Sequence, residues 1–86
     1  MTIYISGKIT DNPNAEAQFK AAEQQLKLAG YKVVNPMKLN QHRLSLIIKS
    51  DAIYQLPTWR GCSMCKLEYR IAKELEMTIM SERRGK

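Results

Sequence analysis

The stretch Thr2-Ile-Tyr-Ile-Ser-Gly7 decides how this chain is read. β-Branched and aromatic side chains favour a pleated strand, and a short, nearly unbroken run of them fits a strand buried on both faces. Gly7 ends the run and opens a polar loop over 8–14, where Asp11, Asn12 and Pro13 supply turn and helix-start chemistry. Pro13 is expected at a first helical position, where its missing N–H costs nothing. Beyond the loop Phe19, Ala22, Leu26 and Ala29 recur at spacings of three and four, with Glu16, Lys20, Glu23, Gln24 and Lys27 on the other side. That pattern predicts an amphipathic helix over 15–29 that covers a sheet. Gly30 terminates it, and Tyr31-Lys-Val-Val-Asn35, closed by Pro36, reads as a second strand. Strand, helix and strand in succession make a parallel unit.

The alternation continues outward from this unit. Leu44, Leu46, Ile47 and Ile48 suggest a short helix within 41–50. Asp51-Ala-Ile-Tyr-Gln-Leu-Pro57 is the third strand, with Pro57 forcing its exit into a loop over 58–61. A third helix is predicted over 62–75, with Met64, Leu67, Ile71, Ala72 and Leu75 on its inner side, and a last strand over 77–80. The fold class is therefore α/β: a small three-layer Rossmann- or flavodoxin-like domain with a four-stranded parallel sheet in the order 2-1-3-4. It occupies 1–80, and 81–86 is a basic tail expected to be mobile. In such sheets ligands bind beyond the carboxyl ends of the strands, at the switch point between strands one and three. The loops over 6–14 and 57–65 reach that point.

Composition narrows the function. A chain of 86 residues suits one domain and not two, and its core must be thin. Hydrophobic residues at 44% and charged residues at 26% exclude a disordered, collagen-like or coiled-coil chain. A marginal core is often supplemented by disulfides, a metal or a partner subunit, and the first two are poorly supplied. Homo-oligomerisation, as a dimer or tetramer through the second-helix region and residues 59–69, is expected. The first residues lack the basic start and long apolar run of a signal peptide, so a cytoplasmic location without membrane association is expected. The formal charge of +6 is scattered among acids, and Arg83, Arg84 and Lys86 in the tail carry half of it. Without a one-sided basic stripe interleaved with aromatics, direct DNA or RNA binding is not expected.

Several residues carry candidate chemistry. Ser6-Gly7-Lys8 opens the first loop, where backbone N–H groups can approach a ligand and the serine hydroxyl can add a bond; Gly7 equally serves as a plain turn residue. The loop is neither Gly-x-Gly-x-x-Gly nor a Walker sequence, and no cofactor is implied. Glu68 lies about two turns into the third helix near its sheet-facing boundary. There burial disfavours a charge and hydrogen bonds favour it, the balance a nucleophile or base requires; the plain alternative is a surface acid pairing with Lys66 or Lys73. Cys62 and Cys65 form a Cys-x-x-Cys at a helix start, which suits either a reactive thiol pair or two small residues packing that start. With a single His42, one chain cannot assemble a closed four-ligand zinc site, and no metal is expected. Trp59, near Tyr54 in the sequence, either stacks on a base or fills core or interface.

The order of these motifs is more specific than any one of them. Ile3-Tyr-Ile-Ser-Gly7, Ala29-Gly-Tyr-Lys-Val-Val-Asn-Pro36, Ser50-Asp-Ala-Ile-Tyr-Gln-Leu-Pro-x-Trp59 and Leu67-Glu-Tyr-x-Ile-Ala-Lys73 together resemble the DUF4406 family. These are small relatives of nucleoside 2-deoxyribosyltransferases common in phages and prophages. The resemblance spans nearly the whole chain, with 37–49 shorter than usual. It implies a nucleoside or nucleotide ligand in a bacterial host or phage-infected cell, and Glu68 as the carboxylate that attacks the anomeric carbon. A carboxylate suits that task because it both stabilises an oxocarbenium-like transition state and captures it covalently. Tyr4 would hydrogen-bond Glu68, Ser6, Gly7 and Lys8 would approach the ligand, and Trp59, Cys62, Met64 and Cys65 would border the pocket. Where the family usually has serine and glycine this chain has Cys62 and Met64, and the transferases' aspartate after the third strand is replaced by Pro57-Thr58-Trp59. The resemblance equally implies a second outcome, a binding protein that keeps the pocket and sequesters a nucleotide without turnover.

Overall fold

A computed structural model describes residues 1–38 and 43–82. Four strands, β1 (Thr2–Ser6), β2 (Lys32–Val34), β3 (Ala52–Gln55) and β4 (Thr78–Ser81), form one parallel sheet in the order β2-β1-β3-β4. The helices are α1 (Ala15–Leu28), α2 (Arg43–Ile48) and α3 (Ser63–Glu74), with a 3₁₀ turn over Pro57–Gly61 leading into α3. The predicted class, strand order and alternation all hold.

β1 is the centre of the molecule because both its faces are covered. Ile3 and Ile5 point to one side, where Phe19, Ala22 and Leu26 of α1 close over them with Ala52 and Leu56. Tyr4 points to the other side, where Leu46 and Ile47 of α2 and Ala72 of α3 pack with Ile53. A strand buried on both sides needs apolar or fully bonded residues throughout, which is why its four residues Ile3 to Ser6 read without polar alternation.

Helix ends follow their local chemistry. Gly30, at φ +94°, lets Tyr31 N–H reach the Leu26 carbonyl at 3.1 Å, a Schellman closure of α1. α3 ends the same way on a residue that is not glycine: Glu76 sits at φ +56° while Met77 N–H bonds the Ala72 carbonyl at 2.9 Å.

The structure departs from the sequence reading at several boundaries. Pro13 precedes the α1 cap Asn14 instead of opening the helix. The buried stripe of α3 is Cys65, Glu68 and Ala72, whereas Leu67 and Leu75 are exposed, so the inner face is rotated from the predicted one. Apolar residues alone misplace that face because its middle position is an acid. Ser81 belongs to β4 and Glu82 N–H donates to the Gln55 carbonyl at 2.9 Å, so the sheet extends into the segment expected to be a tail. His42, Arg83, Arg84 and Lys86 lie outside the described residues. No helix among the described residues is long and apolar enough to cross a membrane.

Candidate functional site

β1 ends in Ser6 beside Gln55 of β3, and the two strands separate from there into different loops. This is the carboxyl edge of the sheet, between its two central strands. Alternation along β1 sends Tyr4 and Ser6 to the α3 side, and α3 presents Glu68 to them from the opposite layer.

The result is a buried polar cluster in an otherwise apolar layer. Tyr4 Oη donates to Glu68 Oε2 at 2.7 Å, and Ser6 Oγ donates to Glu68 Oε1 at 2.8 Å. All three residues are 0% exposed. Arg43, at the start of α2, closes the cluster: its Nε lies 3.0 Å from Glu68 Oε2 and 3.0 Å from Tyr4 Oη. Its Nη2 reaches Glu68 Oε1 at 3.3 Å and the Gly7 carbonyl at 3.2 Å. Both oxygens of one carboxylate are thus held by a phenol, a hydroxyl and a guanidinium fork.

Burial, and after it the charge of Glu68, push the Tyr4 phenol far above its ordinary range, so the hydroxyl keeps its proton and donates. Burial works against the charge on Arg43, but the hydrogen bond to Tyr4 and the charge of Glu68 leave its pKa above that of a free guanidinium. Glu68 is therefore a core residue, not the surface partner of Lys66 or Lys73.

A groove of about 220 Å³ opens on the solvent side of Arg43, lined by Lys8, Asp11 and Arg43 with Cys62, Ser63 and Met64. Of the residues assigned to the ligand from sequence, Lys8, Cys62 and Met64 line this groove, while Tyr4, Ser6 and Glu68 lie in the buried cluster that Arg43 joins to it. Gly7 serves packing: a Cβ there would meet Leu56 Cδ1 at 2.7 Å and the Leu56 Cβ at 3.1 Å. Trp59 packs on Tyr69 with ring centroids 5.1 Å apart and is not part of the groove wall.

The two cysteines have separate structural positions. Cys62 caps α3, its Sγ accepting from Cys65 N–H at 3.2 Å. Cys65 is fully buried, with its Sγ 3.9 Å from Arg43 Nη2. Burial first, and then the hydrogen bond with Cys62, push the Cys65 thiol up to about 12. That is the opposite of the lowered pKa a reactive thiol at a helix start needs.

Arg43 escaped the sequence reading. It opens a six-residue helix whose apolar cluster was the visible signal, and no periodicity marks a cation there. The signal that could have found it is a requirement: a glutamate placed against buried strand residues needs a positive partner.

No curated protein and no solved structure matches this chain. A family model described as "Domain of unknown function (DUF4406)" matches residues 1–81, nearly its whole length. The protein built around this Tyr4, Ser6, Arg43 and Glu68 cluster thus belongs to the DUF4406 family.

Proposed function

We propose that the protein handles a nucleoside or nucleotide in the groove beside Arg43, and that it cleaves or transfers at the N-glycosidic bond with Glu68 as nucleophile. The observation that carries this reading is the fully buried Glu68 held by Tyr4 and Ser6 at the carboxyl edge of β1. Apolar residues of similar volume would generally pack such a site at no loss of stability. A satisfied carboxylate at the position where parallel sheets bind ligands therefore points to chemistry. The resemblance to nucleoside 2-deoxyribosyltransferases supports the same role for Glu68.

In the proposed reaction Arg43 withdraws and frees one carboxylate oxygen, which bonds to the anomeric carbon as the bond from that carbon to the base nitrogen breaks. The electron pair leaves on the base, which takes a proton from water in the groove, leaving hydroxide to take up the proton of the next nucleophile. Water or a second base then displaces Glu68, restoring the carboxylate. Tyr4 and Ser6 hold the carboxylate plane throughout and act as positioning residues.

One observation favours a second reading, binding without turnover. Arg43 bonds both Glu68 oxygens and also lines the groove, so Glu68 can serve as the anchor that presents a guanidinium to the ligand. A thermal-shift panel of deoxyribonucleosides, nucleoside monophosphates and cyclic nucleotides, followed by chromatography for free base, separates the two. Stabilisation with base release supports catalysis, stabilisation alone supports binding, and no shift contradicts both.

A further inference from the structure

The outer side of α3 carries a feature that the site does not use. Leu67, Ile71 and Leu75 stand at i, i+4 and i+8, one ridge along the helix, with Ile48 from the end of α2 beside them. Leu67 is 42% exposed, Leu75 53% and Ile48 68%. Together with Arg70 and Glu74 these residues line an open groove of about 600 Å³, far more apolar than the groove at the site. A contiguous apolar surface with a polar edge marks an interaction face.

We propose that this face docks a second copy of the chain, α3 against α3 in antiparallel orientation about a two-fold axis near Ile71. Its charge pattern selects that occupant. Arg70 and Glu74 lie one turn apart along the same side of the ridge, and among the described residues neither makes an ion pair. In an isologous interface residue i meets j and j meets i. An axis near Ile71 sets Leu67 against the partner's Leu75, brings the two copies of Ile71 together, and carries each Arg70 towards the Glu74 of the other chain. The face is thus complementary to itself in shape order and in charge. A chain of 86 residues has a thin core, and covering this ridge extends it.

The surface overlaps the one expected from sequence, sharing Ile48 of the second-helix region and Leu67, and continues along α3 to Leu75. It shares no residue with the buried cluster of Glu68, so it stands or falls independently of the proposed reaction.

Sedimentation equilibrium of the full chain tests the proposal. The wild type is expected to be dimeric at micromolar concentration. Arg70→Glu puts like charges together twice in the dimer and is expected to weaken association at least about tenfold. The double exchange Arg70→Glu with Glu74→Arg restores the pairing in reversed sense and is expected to recover most of that loss. Leu67→Lys with Leu75→Lys is expected to give a monomer. The far-UV circular dichroism of the charge variants should match that of the wild type, since both positions are exposed. A monomeric wild type, or a dimer indifferent to Arg70→Glu and to the Leu67 and Leu75 changes, overturns the proposal; so does a double exchange as weak as the single one.

Discussion

Tyr4 and Glu68, 64 residues apart in the sequence, meet through a 2.7 Å hydrogen bond in which neither residue has any exposed surface. The phenol comes from the central strand and the carboxylate from the helix that crosses behind it, so the bond ties β1 to α3. Tyr4→Phe removes the donor and leaves Glu68 Oε2 to Arg43 alone. The expected loss is about 1–2 kcal/mol in denaturant unfolding with an unchanged m-value. An unchanged midpoint would mean that the bond contributes nothing.

Arg43 and Glu68 form a pair whose members need one another. Arg43→Ala leaves a buried carboxylate with only neutral donors, for which about 2–3 kcal/mol of destabilisation is expected, moderated by the 21% exposure of the arginine side chain. With Glu68→Gln already in place the same change should cost about 1–2 kcal/mol less. Additive effects in this double-mutant cycle would show that the two side chains are not coupled.

How much of this was legible in the sequence depended on what each residue contributes to a pattern. The strand order follows from the alternation of strands with Gly- and Pro-bounded helices, Ser6 and Glu68 could be singled out by their place at strand and helix positions near the switch point, and Tyr4 entered through the resemblance to the DUF4406 family. The inner face of α3 could not, because hydrophobic periodicity treats a buried acid as an interruption and shifts the stripe onto Leu67 and Leu75. Arg43 could not for a related reason. Its role exists only in the presence of Glu68, and no local rule connects two residues that lie on different helices and 25 positions apart in the sequence.

Cys65 should be inert in the folded protein. Its burial and a thiol pushed up to about 12 predict that a disulfide reagent near pH 8 titrates at most Cys62, with Cys65 reacting only after denaturation. Rapid modification of both thiols under native conditions would revive a thiol function for the pair.

Glu23 provides a pH-dependent contribution away from the site. Lys27 at 2.9 Å above all, and then Lys38 at 2.9 Å and Asn35 at 3.1 Å, offset the effect of burial and hold its carboxyl at about 2. Because the folded value lies below the unfolded one, this stabilisation is complete above the ordinary carboxylate range near 4.5 and is lost as pH falls towards 2. The melting temperature of Glu23→Gln should therefore lie below that of the wild type at pH 7, with the gap closing between pH 4.5 and 2. A gap that persists at the lower limit would assign the difference to packing.

The most direct test of the account is Glu68→Gln, assayed beside the wild type for release of free base from whichever nucleoside or nucleotide stabilises the fold. An amide keeps the size of the side chain and its capacity to accept from Tyr4, but it cannot act as the attacking carboxylate. The account predicts ligand affinity within about tenfold of the wild type together with a loss of turnover of at least about a thousandfold. Turnover that survives the substitution would contradict a nucleophilic Glu68 and remove the central claim.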